Sequence, residues 1–263
     1  YVFDDGTVWS HDDALRATVA APTENDDVIH GSSAGDAITG HAGNDTLIGN
    51  GGNDVIDGGA GNDVLIGSTG WNWIYDNGQW RQERSLAPSV SANGNDTYLF
   101  GQGDGQDTVI DGDYTTGNSD TLRFKEGVAP ADVKLLRSGN DLVLTIRGSS
   151  DLVSLKQYFD EAWNGANGPY LIERIAFADG TVLSYANVQA ILFAGSEEAE
   201  TIIGSRAADV LTGQGGDDVL LGGEGRDILD GGAGKDVLRG GGVIGWGNQV
   251  YDGNGEGDTY RFG

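Results

Sequence analysis

The stretch Gly58-Gly59-Ala60-Gly61-Asn62-Asp63-Val64-Leu65-Ile66 decides the fold, because its pattern recurs in phase along the chain. The pattern is G-G-x-G-x-D-x-U-x, with U an aliphatic residue, and it is complete again at residues 231–239. Aspartates recur at intervals of nine residues, and an Ile or Leu stands two positions after each of them. They form two blocks: Asp27, Asp36, Asp45, Asp54 and Asp63, then Asp209, Asp218, Asp227 and Asp236.

Each nonapeptide predicts a turn followed by a short strand. Its six Gly-rich residues suit a turn, because glycine tolerates positive φ and close backbone approach. In the x-U-x strand, the middle side chain points inward and its neighbours point outward. Two nonapeptides would close one coil of a parallel β-roll, and stacked coils would lie about 4.8 Å apart. The core of such a roll is too thin to offset the conformational entropy of the chain alone.

The acidic residues oppose this fold unless a cation bridges them. The chain of 263 residues carries 41 Asp plus Glu against 15 Lys plus Arg, a formal net charge of −26. Like charges about 5 Å apart repel by roughly 0.8 kcal/mol in water and about 3 kcal/mol at an effective dielectric of 20. Stacked turns offer carboxylates and backbone carbonyls, the hard oxygens that Ca²⁺ prefers. We therefore expect Ca²⁺ in the core, at roughly three or four ions per block.

These repeats resemble the RTX (repeats-in-toxin), haemolysin-type calcium-binding family. The resemblance implies that each ion takes a carboxylate and two carbonyls from each of two stacked turns. Carried over onto this chain, it pairs Asp27 with Asp45, Asp36 with Asp54, Asp45 with Asp63, Asp209 with Asp227, and Asp218 with Asp236. Asn72 and Glu200 occupy Asp positions at block ends, and Asn72 is included as a candidate ligand.

The resemblance also implies a set of backbone carbonyl ligands from the Gly-rich turns. In the first block these are Thr23, Asn25, Ser32, Ala34, Gly40, His41, Ala42, Gly43, Gly49, Gly51, Gly58 and Ala60. In the second block they are Ser205, Ala207, Gly213, Gln214, Gly215, Gly216, Gly222, Glu224, Gly231 and Ala233.

The segment between the blocks predicts a cap followed by an antiparallel β-meander. The nonapeptide frame dissolves from about residue 70, and its pattern resumes at 94–110, which indicates atypical final coils closed by aromatic side chains. The meander resembles the domain that accompanies many RTX repeats. Its strands are predicted at 121–124, 133–136, 142–146, 151–155, 172–177 and 181–183, and short helices at 157–163 and 185–192.

The predicted fold class is all-β, with two parallel β-rolls separated by an antiparallel meander that carries one or two short helices. Residues 1–21 are expected to end a preceding unit, and 22–111 to form the first roll with its aromatic cap. Residues 112–195 would form the antiparallel module, and 196–263 the second roll with a partial cap. Residues 3–10 resemble 177–184, and 257–263 resemble 95–101. We therefore expect a segment of a tandem array in a larger protein.

Composition and motifs exclude several classes of function. The negative charge would repel nucleic acid, no apolar run is long enough to span a bilayer, and the absence of Cys excludes disulfides and thiolate metal sites. Ser33 stands in a G-x-S-x-G match, but the match lies inside the nonapeptide frame, where a hydrolase elbow does not fit. His11, His30 and His41 form no spaced zinc motif. We therefore predict a protein that is not an enzyme.

Two further hypotheses remain open at this point. Asp104 and Asp107 continue the turn chemistry, and the EF-hand-like run that begins at Asp111 could hold an extra ion. The leading hypothesis is a calcium-binding RTX segment of a type I-secreted, extracellular protein whose rolls fold on Ca²⁺. The alternative is an adhesin or lectin-like module that binds a glycan or cell-surface partner through Trp71, Trp73, Tyr75 and Trp80.

Overall fold

A computed structural model describes residues 22–67, 94–112, 117–160, 170–241 and 257–261, together with the strand backbone of 70–76 and 79–85. The chain divides into two compact units, Tyr1–Tyr185 and Ala186–Gly263. Within the described residues, no helix has the length and apolar character needed to cross a bilayer. The predicted residues 1–21 of a preceding unit lie outside the described part of the chain.

The first unit contains fifteen described strands, which follow the turn-and-strand rhythm of the repeats. They are β1 (Val28–His30), β2 (Ala37–Ala42), β3 (Thr46–Ile48), β4 (Val55–Ala60), β5 (Val64–Ile66), β6 (Gly70–Asp76), β7 (Gln79–Ser85), β8 (Thr97–Phe100), β9 (Gln106–Ile110), β10 (Thr121–Phe124), β11 (Val133–Ser138), β12 (Asp141–Ile146), β13 (Leu152–Leu155), β14 (Arg174–Ala176) and β15 (Val182–Ser184). A 3₁₀ turn, Pro130–Asp132, precedes β11.

Alternate strands of this unit form the two walls of a roll. One sheet has the order β1-β3-β5-β9-β13-β12-β11, and the other has the order β15-β14-β10-β8-β4-β2. Within the repeats, residue i aligns in parallel with residue i+18, as Leu47 does with Leu65 and Ile38 with Ile56. The inward aliphatic residues are buried, and Leu47 and Ile56 are fully so. The parallel β-roll predicted for the first block is confirmed.

A hairpin interrupts the roll before its last coils. Strands β6 and β7 pair with each other in antiparallel fashion, after which β8 stacks in parallel on β4 and β9 stacks on β5. The expected atypical final coils therefore form at residues 97–110. The hairpin sets their offset from the repeats, because Val55 aligns with Thr97 rather than with a residue 18 positions later.

The middle segment extends the roll and also forms antiparallel strand pairs, as predicted for the meander. The antiparallel pairs β11–β12 and β14–β15 appear as expected, yet β10 and β14 stack in parallel beyond β8, and β13 stacks in parallel on β9. The physical reason is that the last repeat coil would otherwise leave unpaired backbone groups at its edge. Aromatic rings continue the core there, with Phe124 stacked on Phe177 at 4.8 Å and edge-on to Phe100 at 6.2 Å.

Of the two predicted helices, one lies in the described part of the chain and is confirmed. It is α1 (Tyr185–Phe193), which was expected over residues 185–192. The other was expected at 157–163, where residues 157–159 form a turn and 161–169 lie outside the described residues.

The second unit repeats the roll on a smaller scale. Its described strands are β16 (Thr201–Ile203), β17 (Val210–Thr212), β18 (Val219–Gly223), β19 (Ile228–Asp230), β20 (Val237–Gly241) and β21 (Thr259–Arg261). They form two parallel sheets, β16-β18-β20 and β17-β19-β21. Ile202, Leu211, Leu220 and Leu229 form the core, and Phe193 packs against it. The all-β, two-roll fold class is thus confirmed.

Candidate metal centres

The Gly-rich turns align the repeat aspartates in ladders along the rolls. The backbone N–H of each aspartate donates to Oδ1 of the aspartate in the next coil, at 2.8 Å from Asp27 to Asp45 and at 2.8 Å from Asp45 to Asp63. The remaining predicted pairs, Asp36–Asp54, Asp209–Asp227 and Asp218–Asp236, are joined in the same way at 2.8 to 3.0 Å. The structure therefore brings together all five carboxylate pairs expected from the sequence.

The ladders continue through further acidic residues, and of these the nine-residue phase had assigned Glu200 alone. In the first unit the added links are Asp54–Asp96, Asp63–Asp107, Asp96–Asp120 and Asp120–Glu173, and in the second they are Glu200–Asp218 and Asp227–Asp258. Asn72 lies instead in β6, opposite Glu83 of the hairpin, and Asp96 takes the next place in the stack. The resemblance of residues 95–101 to 257–263 was the sequence feature that could have identified Asp96 and Asp258.

The second carboxylate oxygen is used differently at the start and in the interior of a block. Asp27 Oδ2 accepts the Thr23 N–H at 2.7 Å, and Glu200 accepts the Ser196 N–H at 2.7 Å, so these outer turns cap themselves. In contrast, Oδ2 of four interior aspartates is buried and accepts no hydrogen bond within the described structure. These four, each 1% exposed, are Asp45, Asp63, Asp107 and Asp218.

The second turn position of the interior repeats adopts an uncommon backbone conformation. His41 and Gln214 have φ of 77° and 70°, and Gly59 and Gly232 have φ of 93° and 78° at the equivalent place. A non-glycine residue with positive φ is uncommon, and such conformations cluster at functional sites and ligand clamps. His41 is exposed, so its side chain does not pack in the core, and the conformation serves the backbone of the turn.

Glycines at the first turn position bring a carboxylate and a carbonyl oxygen close to one α-carbon. A side chain at Gly40 would collide with the Asp45 carboxylate, and its Cβ would stand 2.5 Å from the Gly58 carbonyl oxygen. Gly213 has the same surroundings, formed by Asp218 and by the Gly231 carbonyl oxygen at 2.5 Å. Buried, unpaired carboxylate oxygens beside carbonyl oxygens are the donor set that Ca²⁺ prefers, so the residues present fit this ion.

Other predicted carbonyl ligands already take part in contacts between coils. The carbonyls of Ser32, Ser205 and Gln214 accept backbone N–H groups of the following coil, at 3.4, 3.2 and 2.8 Å. A carbonyl oxygen has two lone pairs, so each can accept this bond and still face a cation.

Burial destabilises the charged form of the interior carboxylates. Desolvation raises the pKa of Asp107 from 3.8 to about 8, and it also raises the pKa values of Asp63 and Asp218. Desolvation raises the pKa of Asp104 as well, but this carboxylate has a cationic neighbour, because Lys125 lies 2.9 Å from it and 2.6 Å from the carboxylate of Asp57. Of the two cap residues proposed from the sequence, Asp104 thus pairs with a lysine that it shares with Asp57, whereas Asp107 continues the ladder.

The other motifs noted in the sequence lie as follows. Ser33 is exposed in the turn between β1 and β2, so no strand-to-helix elbow surrounds it. Asp111 is buried at the end of β9, and residues 113–116 of the EF-hand-like run lie outside the described residues, as does His11. The backbone of β6 and β7 pairs Tyr75 with Trp80, and the hypothesis of glycan binding at these aromatics stays a prediction.

Comparisons with known proteins agree with this geometry. The RTX calcium-binding nonapeptide repeat matches four times, at residues 23–56, 48–75, 195–229 and 215–242, and the haemolysin-type calcium binding protein related domain matches residues 141–187. The iron-regulated protein FrpA of Neisseria meningitidis serogroup C is 35% identical over 106 residues, which are 40% of this chain and 9% of that protein. This chain therefore aligns with under a tenth of the length of that relative.

Among solved structures, the chain is similar to the extracellular lipase LipA from Serratia marcescens at 14% identity. The TM-score is 0.25, with 82% of this chain and 28% of that chain covered, and at this score the likeness does not bear on function. The repeat matches fall on both aspartate blocks, and the related-domain match lies between them. The chain belongs to the RTX, haemolysin-type calcium-binding family, and it is a calcium-binding RTX segment.

Proposed function

We propose that this segment is a calcium-dependent folding module of a larger secreted protein, and that its rolls form outside the cell. The observation that carries the proposal is the set of buried Oδ2 atoms, on Asp45, Asp63, Asp107 and Asp218, that accept no hydrogen bond within the described structure. Leaving a buried charge unpaired is strongly destabilising, so the carboxylate ladders need a counter-ion. When bound, calcium supplies the positive charge that the stacked carboxylates lack.

The residues that would hold the ions are the predicted aspartate pairs and the carbonyls around them. In each pair, one aspartate positions the other through its backbone N–H, which leaves Oδ2 directed at the glycine of the turn. Asp107 joins this set through its link to Asp63. Backbone carbonyls such as that of Gly58 complete the oxygen donors. These residues would bind the ions and hold neighbouring coils together, and the role proposed for them is structural rather than catalytic.

Two properties support an extracellular location for the module: the calcium affinity expected of such modules and the net charge of the chain. Extracellular calcium modules bind with Kd of about 10⁻⁴ to 10⁻³ M, a range that cytosolic calcium does not reach. A chain with a net charge of −26 would stay expanded at low calcium, which suits export of an unfolded chain by a type I pathway. Expression of the full-length protein with and without its exporter tests this: retention in the cytosol in both strains, or release in both, would contradict it.

The first prediction concerns the ion that drives folding. The calcium-free chain is expected to be expanded, with little strand signal from the repeat blocks, and addition of Ca²⁺ should produce the β spectrum. Mg²⁺ at the same concentration should be far less effective, because it demands tight octahedral geometry and keeps its waters. Circular dichroism titrations with the two ions, read with the hydrodynamic radius, provide the measurement. An equal response to both ions, or full folding in chelator, would contradict the proposal.

The second prediction concerns protons in the calcium-free chain. The pKa of Asp107 is raised from 3.8 to about 8 in the folded state, and those of Asp63 and Asp218 are also raised. Folding without calcium therefore takes up protons, and the free energy of unfolding falls as the pH rises through the folded-state pKa. We expect metal-depleted protein to show more strand signal at pH 5 than at pH 8. More strand signal at pH 8 would contradict the assigned burial of these carboxylates.

A further inference from the structure

Three buried aspartates meet where the first roll passes from its repeats into the middle segment. Carboxylate oxygens of Asp96, Asp111 and Asp120 all lie within 4.8 Å of one another. The three residues are 2%, 3% and 1% exposed. Asp96 and Asp120 belong to the ladder, since the Asp96 N–H donates to Asp120 Oδ1 at 2.7 Å. Asp111 reaches the same place from β9, so this group has one carboxylate more than a repeat pair.

The register of the sheet explains why Asp111 is present there. Ile48, Ile66 and Ile110 align in consecutive strands of one wall, and the residue after each begins a turn. In the first two strands that residue is a glycine, Gly49 or Gly67, whereas after Ile110 it is Asp111. Gly49 and Gly67 each leave room for a neighbouring carboxylate, of Asp54 and of Asp96, whereas Asp111 at the same position adds a carboxylate of its own. The group differs in composition from the nonapeptide pairs, and it is not part of their repeat.

A fourth oxygen is directed at the same place and has no partner there. Tyr98 is fully buried, and its hydroxyl makes no hydrogen bond within the described structure. A methyl group at Gly67 would overlap the Tyr98 hydroxyl and Asp96 Oδ2, and it would stand 3.1 Å from Asp111 Oδ1. A buried hydroxyl without a hydrogen-bond partner destabilises the fold, and a ligand at this place would relieve that cost.

Neighbouring groups fix the orientation of Asp120 in this arrangement. The Asn118 side-chain amide donates to Asp120 Oδ2 at 2.8 Å, and the Asp120 N–H donates to the Glu173 carboxylate at 2.7 Å. These bonds hold Asp120 within the group, whose carboxylate oxygens lie within 4.8 Å of one another.

We propose that Asp96, Asp111 and Asp120, together with the Tyr98 hydroxyl, form an additional calcium site at the end of the first roll, separate from the nonapeptide pairs. Three carboxylates and a phenol are hard oxygen donors, and together they suit a divalent cation that accepts many oxygen ligands. The site ties the repeats to the middle segment, because Asp111 follows β9 and Asp120 precedes β10. It rests on the proposed calcium-dependent function but on different residues.

Ion counting on the full chain tests this site. Asp111→Asn, compared with the unaltered protein and with Glu126→Gln, which changes an exposed carboxylate in the same unit, should bind one calcium ion fewer in isothermal titration and in metal analysis after dialysis. Glu126→Gln should bind as many ions as the unaltered chain. An undiminished ion count for folded Asp111→Asn would overturn the proposal. If no chain binds calcium at all, the proposed function itself fails, so the two failures are distinguishable.

A second variant decides the matter if Asp111→Asn does not fold in calcium. Tyr98→Phe keeps the buried ring and removes only the hydroxyl, so the core packing is retained. We expect this variant to bind one ion several-fold more weakly while the other ions keep their affinity. Identical binding curves for Tyr98→Phe and the unaltered chain would overturn the role of Tyr98 and, with Asp111→Asn unfolded, the site as proposed.

Discussion

Replacement of Asp45 by Ala is expected to raise the calcium concentration at half-folding clearly more than replacement of Asp27. Asp45 stands inside the ladder, since its Oδ1 accepts the Asp27 N–H and its own N–H donates to Asp63. Asp27 has one described ladder link, from its N–H to Asp45, and its Oδ2 accepts the Thr23 N–H. Repeat stability is roughly a sum of nearest-neighbour terms, so an interior break costs more than a frayed end.

Isothermal titration is expected to show about two ions lost for Asp45→Ala and about one for Asp27→Ala, if each ion bridges two turns. Asp45→Asn is the matched control, because an Asn side chain can still accept the Asp27 N–H but carries no charge. If Asp45→Asn behaves like Asp45→Ala, the missing charge is responsible; if it behaves like the unaltered chain, the hydrogen bond is. Equal losses from Asp27→Ala and Asp45→Ala would mean that the aspartates do not bridge turns.

The second block offers the same comparison with different residues. Asp218 is linked to both Glu200 and Asp236, whereas Asp209 has one described ladder link, to Asp227. We expect Asp218→Ala to exceed Asp209→Ala in its effect on the calcium midpoint. Agreement between the blocks would show that the position in the ladder, rather than the local sequence of a turn, decides the effect.

The sequence predicted the repeat ladders because their rule is local and periodic. A nine-residue interval places Asp27, Asp45 and Asp63 in successive coils without any knowledge of distant contacts. The same arithmetic assigned Asn72 as the next member, and there the structure has a strand of the β6–β7 hairpin. The residues inserted between β5 and β8 change the spacing between aspartates, and a nine-residue period cannot predict their number. Asp96, which follows Asp54 in the ladder, is therefore identified only by the pairing of β4 with β8.

Pairing in the middle segment was less predictable for a related reason. Alternating apolar residues indicated most of its strands. Whether a strand such as β13 pairs in parallel with β9 depends on a free sheet edge more than forty residues earlier. The cluster of Asp96, Asp111 and Asp120 depends on the same non-local pairing, so no local motif marks it.

The substitution Gly40→Ala should abolish high-affinity binding at the sites that Asp45 serves and destabilise the first roll. Gly40 does not have positive φ, so an alanine there causes no backbone strain. Its effect comes only from overlap of the new methyl group with neighbouring atoms. The new methyl group would collide with the Asp45 carboxylate and approach the Gly58 carbonyl oxygen to 2.5 Å. Overpacking of this kind costs about 1–3 kcal/mol, and here it also displaces two oxygens of the donor set.

Gly180→Ala separates these two consequences of the Gly40 substitution. Gly180 has φ of 90° in an exposed turn, and a side chain there would meet nothing within 4 Å. Its replacement should cost about 1–2 kcal/mol through the left-handed backbone alone and leave the number of bound ions unchanged. Thermal unfolding with calcium titration of both variants is the measurement. If Gly40→Ala lowers the melting temperature yet keeps every ion, the Asp45 carboxylate does not face a cation beside Gly40.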